Sequence, residues 1–141
     1  MGWRLLLSHH PPHEAHRCIH LGGKPWLCRR CTFLWPLSLV VLVAQLSLGL
    51  IPEAFHRPLL LILPLPAVFF FIREQIGWAP YHPFTVIWTS LVLAPAIGVG
   101  LARYLQTARD PLFWGMVLLF AGPCFVAVVW RKFQLEGNIE G

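Results

Sequence analysis

Four uncharged apolar stretches dominate the sequence and limit the folds that are open to it. Three of them contain 19 or 20 residues, enough for a helix to cross the ~30 Å hydrocarbon core of a bilayer. The other contains 15 residues. With 57% hydrophobic and 12% charged residues, the chain is too apolar for a soluble domain of 141 residues. We therefore predict an all-α integral membrane protein in contact with lipid, with four transmembrane helices at 33–51, 58–72, 84–102 and 111–130.

The shortest stretch, 58–72, falls short of a full crossing and is interrupted by Pro64 and Pro66. It can still span the bilayer if Arg73 extends its guanidinium outward to the headgroups. The alternative is a re-entrant or surface-lying segment. The sequence leaves both open, with a crossing helix as our prediction.

The last two stretches carry features that concern helix packing. Ala94, Gly98 and Ala102 lie four residues apart, so small residues occupy one helix face and permit close approach of another helix. In the fourth stretch, the Gly122-Pro123 pair predicts a kink. Cys124 follows it, and we expect this thiol to act as a small buried apolar group.

The basic residues predict an orientation for the bundle. Four spans place both termini on one side. That side, together with the loop beginning at Arg73, holds eight lysines and arginines, whereas the opposite side holds Arg57, Arg103 and Arg109. By the positive-inside rule, both termini are expected in the cytoplasm, in an inner or plasma membrane. A reducing cytoplasm disfavours a standing disulfide.

A polar segment, 1–32, precedes the first span and contains three of the four cysteines and five of the seven histidines. Cys28 and Cys31 form a Cys-X-X-Cys pair whose sulfurs can converge from one turn, and such pairs are the commonest anchors for zinc. Cys18, His20 and His10 are the candidates for the remaining ligands. We predict a metal site here, with zinc as the expected ion and a structural or docking role. The protein would then be a small subunit of a larger membrane complex or a homo-oligomer.

Other functions remain open. Cys28 and Cys31 are also the residues that a membrane thiol oxidoreductase would use as its redox pair, although no thioredoxin-like pattern surrounds them. Alternatively, Cys28 and Cys31 are ordinary cysteines of a loop beside the first span. His56 and His82 are expected to be solvated loop residues. A transporter of metals or small solutes would need polar groups at mid-membrane. The spans offer only uncharged ones, namely Ser38, Gln45, Ser47, Thr85, Thr89, Ser90 and Cys124.

Several function classes have no support in the sequence. The basic residues flank apolar runs, so the net charge of +5 does not indicate nucleic-acid binding. The pattern contains no recognisable serine-histidine-aspartate set, no phosphate-binding glycine loop and no paired carboxylates. An enzymatic activity is therefore not indicated. The tail, 131–141, is polar and short.

Two pieces of the amino-terminal segment, RCIHLGG at 17–23 and LCRRCT at 27–32, resemble the signature of a family of small polytopic prokaryotic membrane proteins. That family is catalogued only as domain of unknown function 2085. Cys28, Arg30, Cys31 and Thr32 match its Cys-Ala-Arg-Cys-Thr-Gly stretch, whereas Phe33 replaces the glycine. The resemblance implies an integral membrane protein with an amino-terminal cysteine site, and it implies no particular activity.

Overall fold

The computed structural model describes residues 16–21 and 24–137, which form a short hairpin followed by a bundle of four long helical stretches. The hairpin pairs strands β1 and β2. The elements in chain order are β1 (Cys18–Leu21), β2 (Lys24–Cys28), α1 (Arg29–Leu48), α2 (Glu53–Ile62), α3 (Pro64–Ile76), α4 (Pro83–Gln106), α5 (Pro111–Met116), a π-helical turn (Val117–Ala121) and α6 (Gly122–Gly137).

The antiparallel hairpin corrects the prediction of an all-α chain. Its strands are rich in residues that suit a sheet, such as Ile19 and Trp26, and Gly22-Gly23 separates them in sequence. Pro25 lacks an amide hydrogen, which an edge strand tolerates because one of its sides needs no partner. The pairing register shifts between Ile19 and His20. The rest of the described chain is mostly helical, as predicted.

The second helical stretch is longer than the sequence suggested. Helices α2 and α3 are separated only by Leu63, whose φ of −61° and ψ of −36° are helical. They therefore form a nearly continuous stretch of 24 residues, with the break where Pro64 has no amide hydrogen to donate. This length is sufficient to cross a bilayer, which favours a crossing helix over a re-entrant segment. Gly77, with φ of 84°, ends α3.

Helix α4 lies at the centre of the bundle and packs closely on α1. Ala94, Gly98 and Ala102 are all buried, as the spacing of these small residues predicted. A Cβ atom added at Gly98 would lie 2.7 Å from the carbonyl oxygen of Ser38 and 2.7 Å from Cβ of Val41. The two helix backbones can therefore approach this closely only because residue 98 has no side chain.

A π-helical turn occupies the part of the last stretch where a kink was predicted. Pro123 cannot donate a hydrogen bond to the preceding turn, so the regular α-helical pattern is interrupted there. Helix α6 then continues from Gly122. Together α5, the π turn and α6 form the fourth long helical stretch.

All four stretches, Arg29–Leu48, Glu53–Ile76, Pro83–Gln106 and Pro111–Gln134, are long and apolar enough to cross a membrane. Their outward faces expose large apolar side chains, which is compatible with an integral membrane protein surrounded by lipid. Exposed aromatic residues lie towards both ends of the bundle, as in the aromatic belts of membrane proteins. They are Trp35, Trp78 and Trp130 at the hairpin end, and Tyr104 and Trp114 at the opposite end.

Three buried hydroxyl groups of the helices donate to a carbonyl oxygen of their own helix. Ser38 donates to the carbonyl oxygen of Leu34 at 2.7 Å, and Ser90 donates to that of Val86 at 2.6 Å. Thr89 likewise donates to the carbonyl of Thr85 at 2.7 Å. The hydrogen of each of these hydroxyl groups therefore has an acceptor within its own helix.

Candidate functional site

The hairpin is attached to the bundle by a buried carboxylate. Glu74, in α3, has a side chain that is only 9% exposed, and it lies 2.8 Å from the guanidinium of Arg17 and 3.8 Å from that of Arg30. Arg30 also stacks over the Phe71 ring at 5.0 Å. One acidic side chain in the second span thus contacts a residue just before β1 and a residue at the start of α1.

Replacing Glu74 with glutamine is expected to loosen the hairpin. The substitution removes the charge that Arg17 and Arg30 both face, a loss of about 1–3 kcal/mol for a charged hydrogen bond. Amide hydrogen exchange in β1 and β2 should then accelerate roughly tenfold or more, since each ~1.4 kcal/mol is a factor of ten. Exchange within α4 should not change.

The control for this variant is Glu53→Gln, which removes an exposed carboxylate at the other end of the bundle. Its hairpin exchange should match that of the unmodified protein. If Glu74→Gln also left the hairpin as well protected as before, contacts other than the ion pairs would hold it in place.

Where the hairpin meets α1, Cys28 neighbours two other cysteines. Cys18 and Cys28 are direct cross-strand partners, and both are buried, with 0% and 6% exposure. Cys28 is also the residue that precedes α1, and Cys31 lies in the first turn of that helix. The Cys31 thiol lies within hydrogen-bonding reach of Cys28. Cys28 is therefore the central member of the set, since it neighbours each of the other two.

The local backbone explains this arrangement. Cys28 has an extended conformation, with φ of −60° and ψ of 120°. It is therefore both the last residue of β2 and the residue that directly precedes α1. Thr32 donates its hydroxyl hydrogen to the Cys28 carbonyl at 2.9 Å and so reinforces the first turn. Directly opposed residues in antiparallel strands have Cα atoms ~4.5–5.5 Å apart, which is within the range that a metal or a disulfide can bridge.

The other predicted ligands are placed less favourably. His20 is exposed, and it lies beyond the irregularity in the pairing of β1 with β2. His10 lies outside the described residues. Within 16–21 and 24–137, no three side chains of histidine, cysteine, aspartate or glutamate stand together as a preformed metal site. All four cysteines are thiols, and Cys124, in α6, is half-buried.

A second polar cluster, which the sequence analysis missed, lies at the opposite end of the bundle. His56 is only 5% exposed, so its assignment as a solvated loop residue is wrong. Arg103 donates to His56 Nδ1 at 3.0 Å and forms two hydrogen bonds to the Asp110 carboxylate, at 2.9 and 2.6 Å. Asp110 in turn accepts a hydrogen bond from the amide of Phe113 at 2.9 Å and caps α5.

These contacts determine the tautomer of His56. Arg103 can only donate, so Nδ1 of His56 is the acceptor and Nε2 carries the hydrogen. Nε2 then donates to the carbonyl oxygen of Ile51 at 2.9 Å. The Gln45 amide donates to the same oxygen at 3.1 Å and accepts from the Ile51 amide at 2.8 Å. The cluster thereby joins the loop after α1 to α2, α4 and α5.

The printed sequence does contain signals for this cluster. Gln45 is an isolated amide in an apolar run, and Asp110 directly precedes Pro111, which is a common way to begin a helix. His82, by contrast, is exposed just before α4, as predicted. The chemistry of the cluster is that of a satisfied structural network, because each of its polar groups has a partner within the bundle.

The chain matches no protein-family model, no curated protein and no solved structure. The resemblance to the family described as domain of unknown function 2085 therefore stays a prediction.

Proposed function

We propose that Cys18, Cys28 and Cys31 bind a zinc ion at the membrane surface and that this site has a structural or docking role. The observation that carries the proposal is the position of Cys28, which is paired across the strands with Cys18 and in reach of the Cys31 thiol. Zinc prefers four ligands in a tetrahedron, often including two from a Cys-X-X-Cys turn. His20 or His10 would supply the fourth.

The hairpin only places the cysteines near one another, and a bound metal ion would complete the site. Metal sites of small segments commonly form together with the local fold, because the ion supplies binding energy that the segment lacks. The segment 1–32 contains no long apolar run with which to build a core of its own. A bound ion would therefore order the hairpin against Glu74 and present a defined surface beside the bundle.

The burial of the thiols favours this role over redox catalysis. Cys18 is fully buried and Cys28 nearly so. A disulfide-bonded substrate must bring its sulfur to an attacking thiolate, so a redox pair needs at least one accessible sulfur. Of the three cysteines, Cys31 is the most solvent-accessible. The second candidate function is accordingly thiol-disulfide exchange at Cys28 and Cys31, in which their oxidation reduces a substrate disulfide.

The proposed docking role depends on how the bundle and its termini are placed in the membrane. The bundle exposes large apolar side chains along its helices, and these suit either lipid or the helices of a partner protein or second copy. Basic residues concentrate at the hairpin end, which supports a cytoplasmic location for both termini. The protein would then act as a small subunit of a larger assembly in an inner or plasma membrane.

The proposal is tested by elemental analysis of the purified, detergent-solubilised protein. We expect about one zinc per chain, lost in the Cys28→Ser/Cys31→Ser double variant, because removal of both anchoring thiolates leaves too few ligands. The matched control is Cys124→Ser, which removes a thiol from α6 and should retain the metal. A His20→Ala variant that weakens retention would identify the fourth ligand.

Thiol titration separates the two candidate functions. A metal site predicts that the three thiols react slowly with a maleimide until a chelator is added. If instead no preparation holds metal, and Cys28 and Cys31 form a reversible disulfide, the zinc proposal is wrong and the exchange function replaces it. Slow reaction that a chelator does not change would also count against the metal.

A further inference from the structure

Cys28 can form a disulfide with either of two cysteines, but not with both at once. Across the hairpin, its strand partner is Cys18. Along the chain, the Cys31 thiol lies within hydrogen-bonding reach of it, in the first turn of α1. All three are thiols in this structure. The cross-strand disulfide, between Cys18 and Cys28, and the Cys-X-X-Cys disulfide, between Cys28 and Cys31, therefore share one sulfur and exclude each other.

The hairpin holds Cys18 and Cys28 in a register that suits a disulfide. Directly opposed residues of antiparallel strands direct their side chains to the same face of the sheet, with Cα atoms ~4.5–5.5 Å apart. Disulfides join residues whose Cα atoms are ~4.4–6.8 Å apart. The irregularity in the pairing lies between Ile19 and His20 and leaves Cys18 opposite Cys28. The fold of the hairpin thus prepares a cross-strand bridge.

The three thiols differ in how easily an external reagent can reach them. Cys18 is fully buried and Cys28 is 6% exposed, whereas Cys31 is partly exposed. Exchange with an external disulfide requires access to the thiol that attacks it. Cys31 is therefore the residue at which oxidation from outside can begin. Cys18 is then reached through Cys28, which neighbours both.

We propose that Cys31 passes oxidation inward through Cys28 to Cys18, and that the cross-strand disulfide is the product that accumulates. Cys31 first attacks a low-molecular-weight disulfide, forms a mixed disulfide and releases one thiol. Cys28 then attacks the Cys31 sulfur, which forms the Cys-X-X-Cys disulfide and releases the second thiol. Finally, Cys18 attacks the Cys28 sulfur, so the cross-strand bond forms, the bond to Cys31 breaks and Cys31 becomes a thiol again.

The three exchanges conserve electrons and protons. The external disulfide gains two electrons and leaves as two thiols, while Cys18 and Cys28 together lose two electrons. The protons given up by these two cysteines are those that the released thiols take. Cys31 begins and ends as a thiol, so it transmits the oxidation without retaining it.

Burial explains why the cross-strand disulfide should persist. A reducing thiol must reach a disulfide sulfur to reopen the bond, and Cys18 and Cys28 are both buried. The Cys-X-X-Cys disulfide, by contrast, leaves the more accessible sulfur of Cys31 open to attack. Oxidation is therefore stored between the two strands of the hairpin.

This interchange would control the zinc site, a consequence that rests on the proposed function. The cross-strand disulfide removes Cys18 and Cys28 from the ligand set, because zinc binds thiolates and not disulfide sulfurs. Cys31 would then be the one remaining thiol ligand, which is too few to retain the ion. Oxidation would release zinc and would join β1 to β2 covalently. The interchange of disulfides itself does not require the metal.

A tryptic digest tells the two disulfides apart. Trypsin cleaves after arginine and does not cut before proline, so Cys18 and Cys28 remain in one peptide, 18–29, and Cys31 lies in another. The full-length protein in detergent is incubated with glutathione disulfide, free thiols are blocked with N-ethylmaleimide, and the peptides are analysed by mass spectrometry. The cross-strand disulfide leaves peptide 18–29 unlinked and unlabelled, whereas the Cys-X-X-Cys disulfide joins it to the peptide of Cys31.

Three single variants test the order of the steps. Cys18→Ser should stop at the Cys-X-X-Cys disulfide. Cys31→Ser should form the cross-strand disulfide about tenfold more slowly or worse, because the external disulfide must then reach a buried sulfur. Cys124→Ser, which removes a thiol from α6, is the matched control and should react like the unmodified protein. Thermal unfolding of each reduced variant verifies that the fold is intact.

The cross-strand disulfide in the unmodified protein, together with slow reaction of Cys31→Ser, supports the proposal. Accumulation of the Cys-X-X-Cys disulfide, formation of neither disulfide, or an unchanged rate in Cys31→Ser would overturn it. Zinc is measured in the same samples. If the reduced protein holds no zinc, the proposed function fails while the disulfide result stands by itself. Zinc that stays bound to protein with the cross-strand disulfide would overturn the control of the site by oxidation.

Discussion

Replacing Gly98 with alanine is expected to destabilise the bundle by about 2–3 kcal/mol, and replacement with leucine is expected to prevent α1 and α4 from packing. The added Cβ would lie 2.7 Å from the backbone oxygen of Ser38 and 2.7 Å from Cβ of Val41. A backbone oxygen and a Cβ atom cannot move away by rotation of a side chain, so the helices themselves must separate. Thermal or denaturant unfolding in detergent measures the loss.

Gly115→Ala is the matched control for this prediction. Gly115 lies in α5, and no described atom stands within 4 Å of the Cβ that alanine would add there. Because alanine favours a helix over glycine by about 1 kcal/mol, this variant should be unchanged or slightly more stable. If Gly98→Ala were as stable as Gly115→Ala, the result would contradict the close approach of α1 and α4 at residue 98.

Replacing Asp110 with alanine is expected to destabilise the opposite end of the bundle by about 3–5 kcal/mol. The pair of Asp110 and Arg103 is mostly buried, with side-chain exposures of 8% and 24%, and removal of one partner leaves the other charge uncompensated. The variant also deprives the Phe113 amide of its cap, which by itself costs about 1 kcal/mol. The change is measured by unfolding in detergent.

Two further variants divide this effect into its parts. Asp110→Asn keeps a side chain that can cap α5 but removes the charge, so it should lose less than alanine. In the double variant Arg103→Leu/Asp110→Asn, neither charge remains, and much of the stability should return. The exposed Arg109→Gln variant should be neutral. A double variant less stable than the sum of its single changes would contradict the assignment of the pair.

The pair of Asp110 and Arg103 also predicts that the protein loses stability at acidic pH. Hydrogen bonds from Arg103 hold the pKa of Asp110 below its ordinary value of 3.8. A carboxylate whose pKa is lowered by folding contributes its full stabilisation above the pKa of the unfolded chain and loses it as the pH falls further. The unmodified protein should therefore lose stability below about pH 4 more steeply than Asp110→Asn. Parallel curves would show that Asp110 is not the responsible group.

The two ends of the bundle are stabilised by different side-chain contacts. At the hairpin end, the Glu74 carboxylate pairs with Arg17 and Arg30. At the opposite end, Arg103 is matched by Asp110, and His56 is bonded on both ring nitrogens. The contacts at the hairpin end attach the hairpin that carries the proposed cysteine site, whereas those at the opposite end join the helices to one another.

Much of the fold follows from local features of the sequence. Long uncharged runs predict helices that can cross a bilayer, because backbone groups in lipid must bond within their own segment. Prolines and glycines mark several boundaries, as at Gly77 and Pro111. The spacing of Ala94, Gly98 and Ala102 predicts the close helix contact, since residues four apart share a face. The hairpin was missed because its strands are too short to show a clear alternation.

The candidate site was predictable only in part. Cys28 and Cys31 are neighbours in sequence, so their proximity depends on a single turn. The pairing of Cys18 with Cys28 depends instead on the register of the hairpin, and a shift by one residue would move a side chain to the other face. No local pattern indicated that Glu74 would be the acid that holds the hairpin.

The sequence by itself determined the membrane-type composition, the helical stretches and the existence of a cysteine-rich segment, because these depend on residues close together in the chain. The tertiary structure alone decided which distant side chains meet. Arg103 and His56 are 47 residues apart, and they bond only because their two helices present them to each other. The rotation of each helix about its axis selects such partners, and that rotation is set by the packing of the whole bundle.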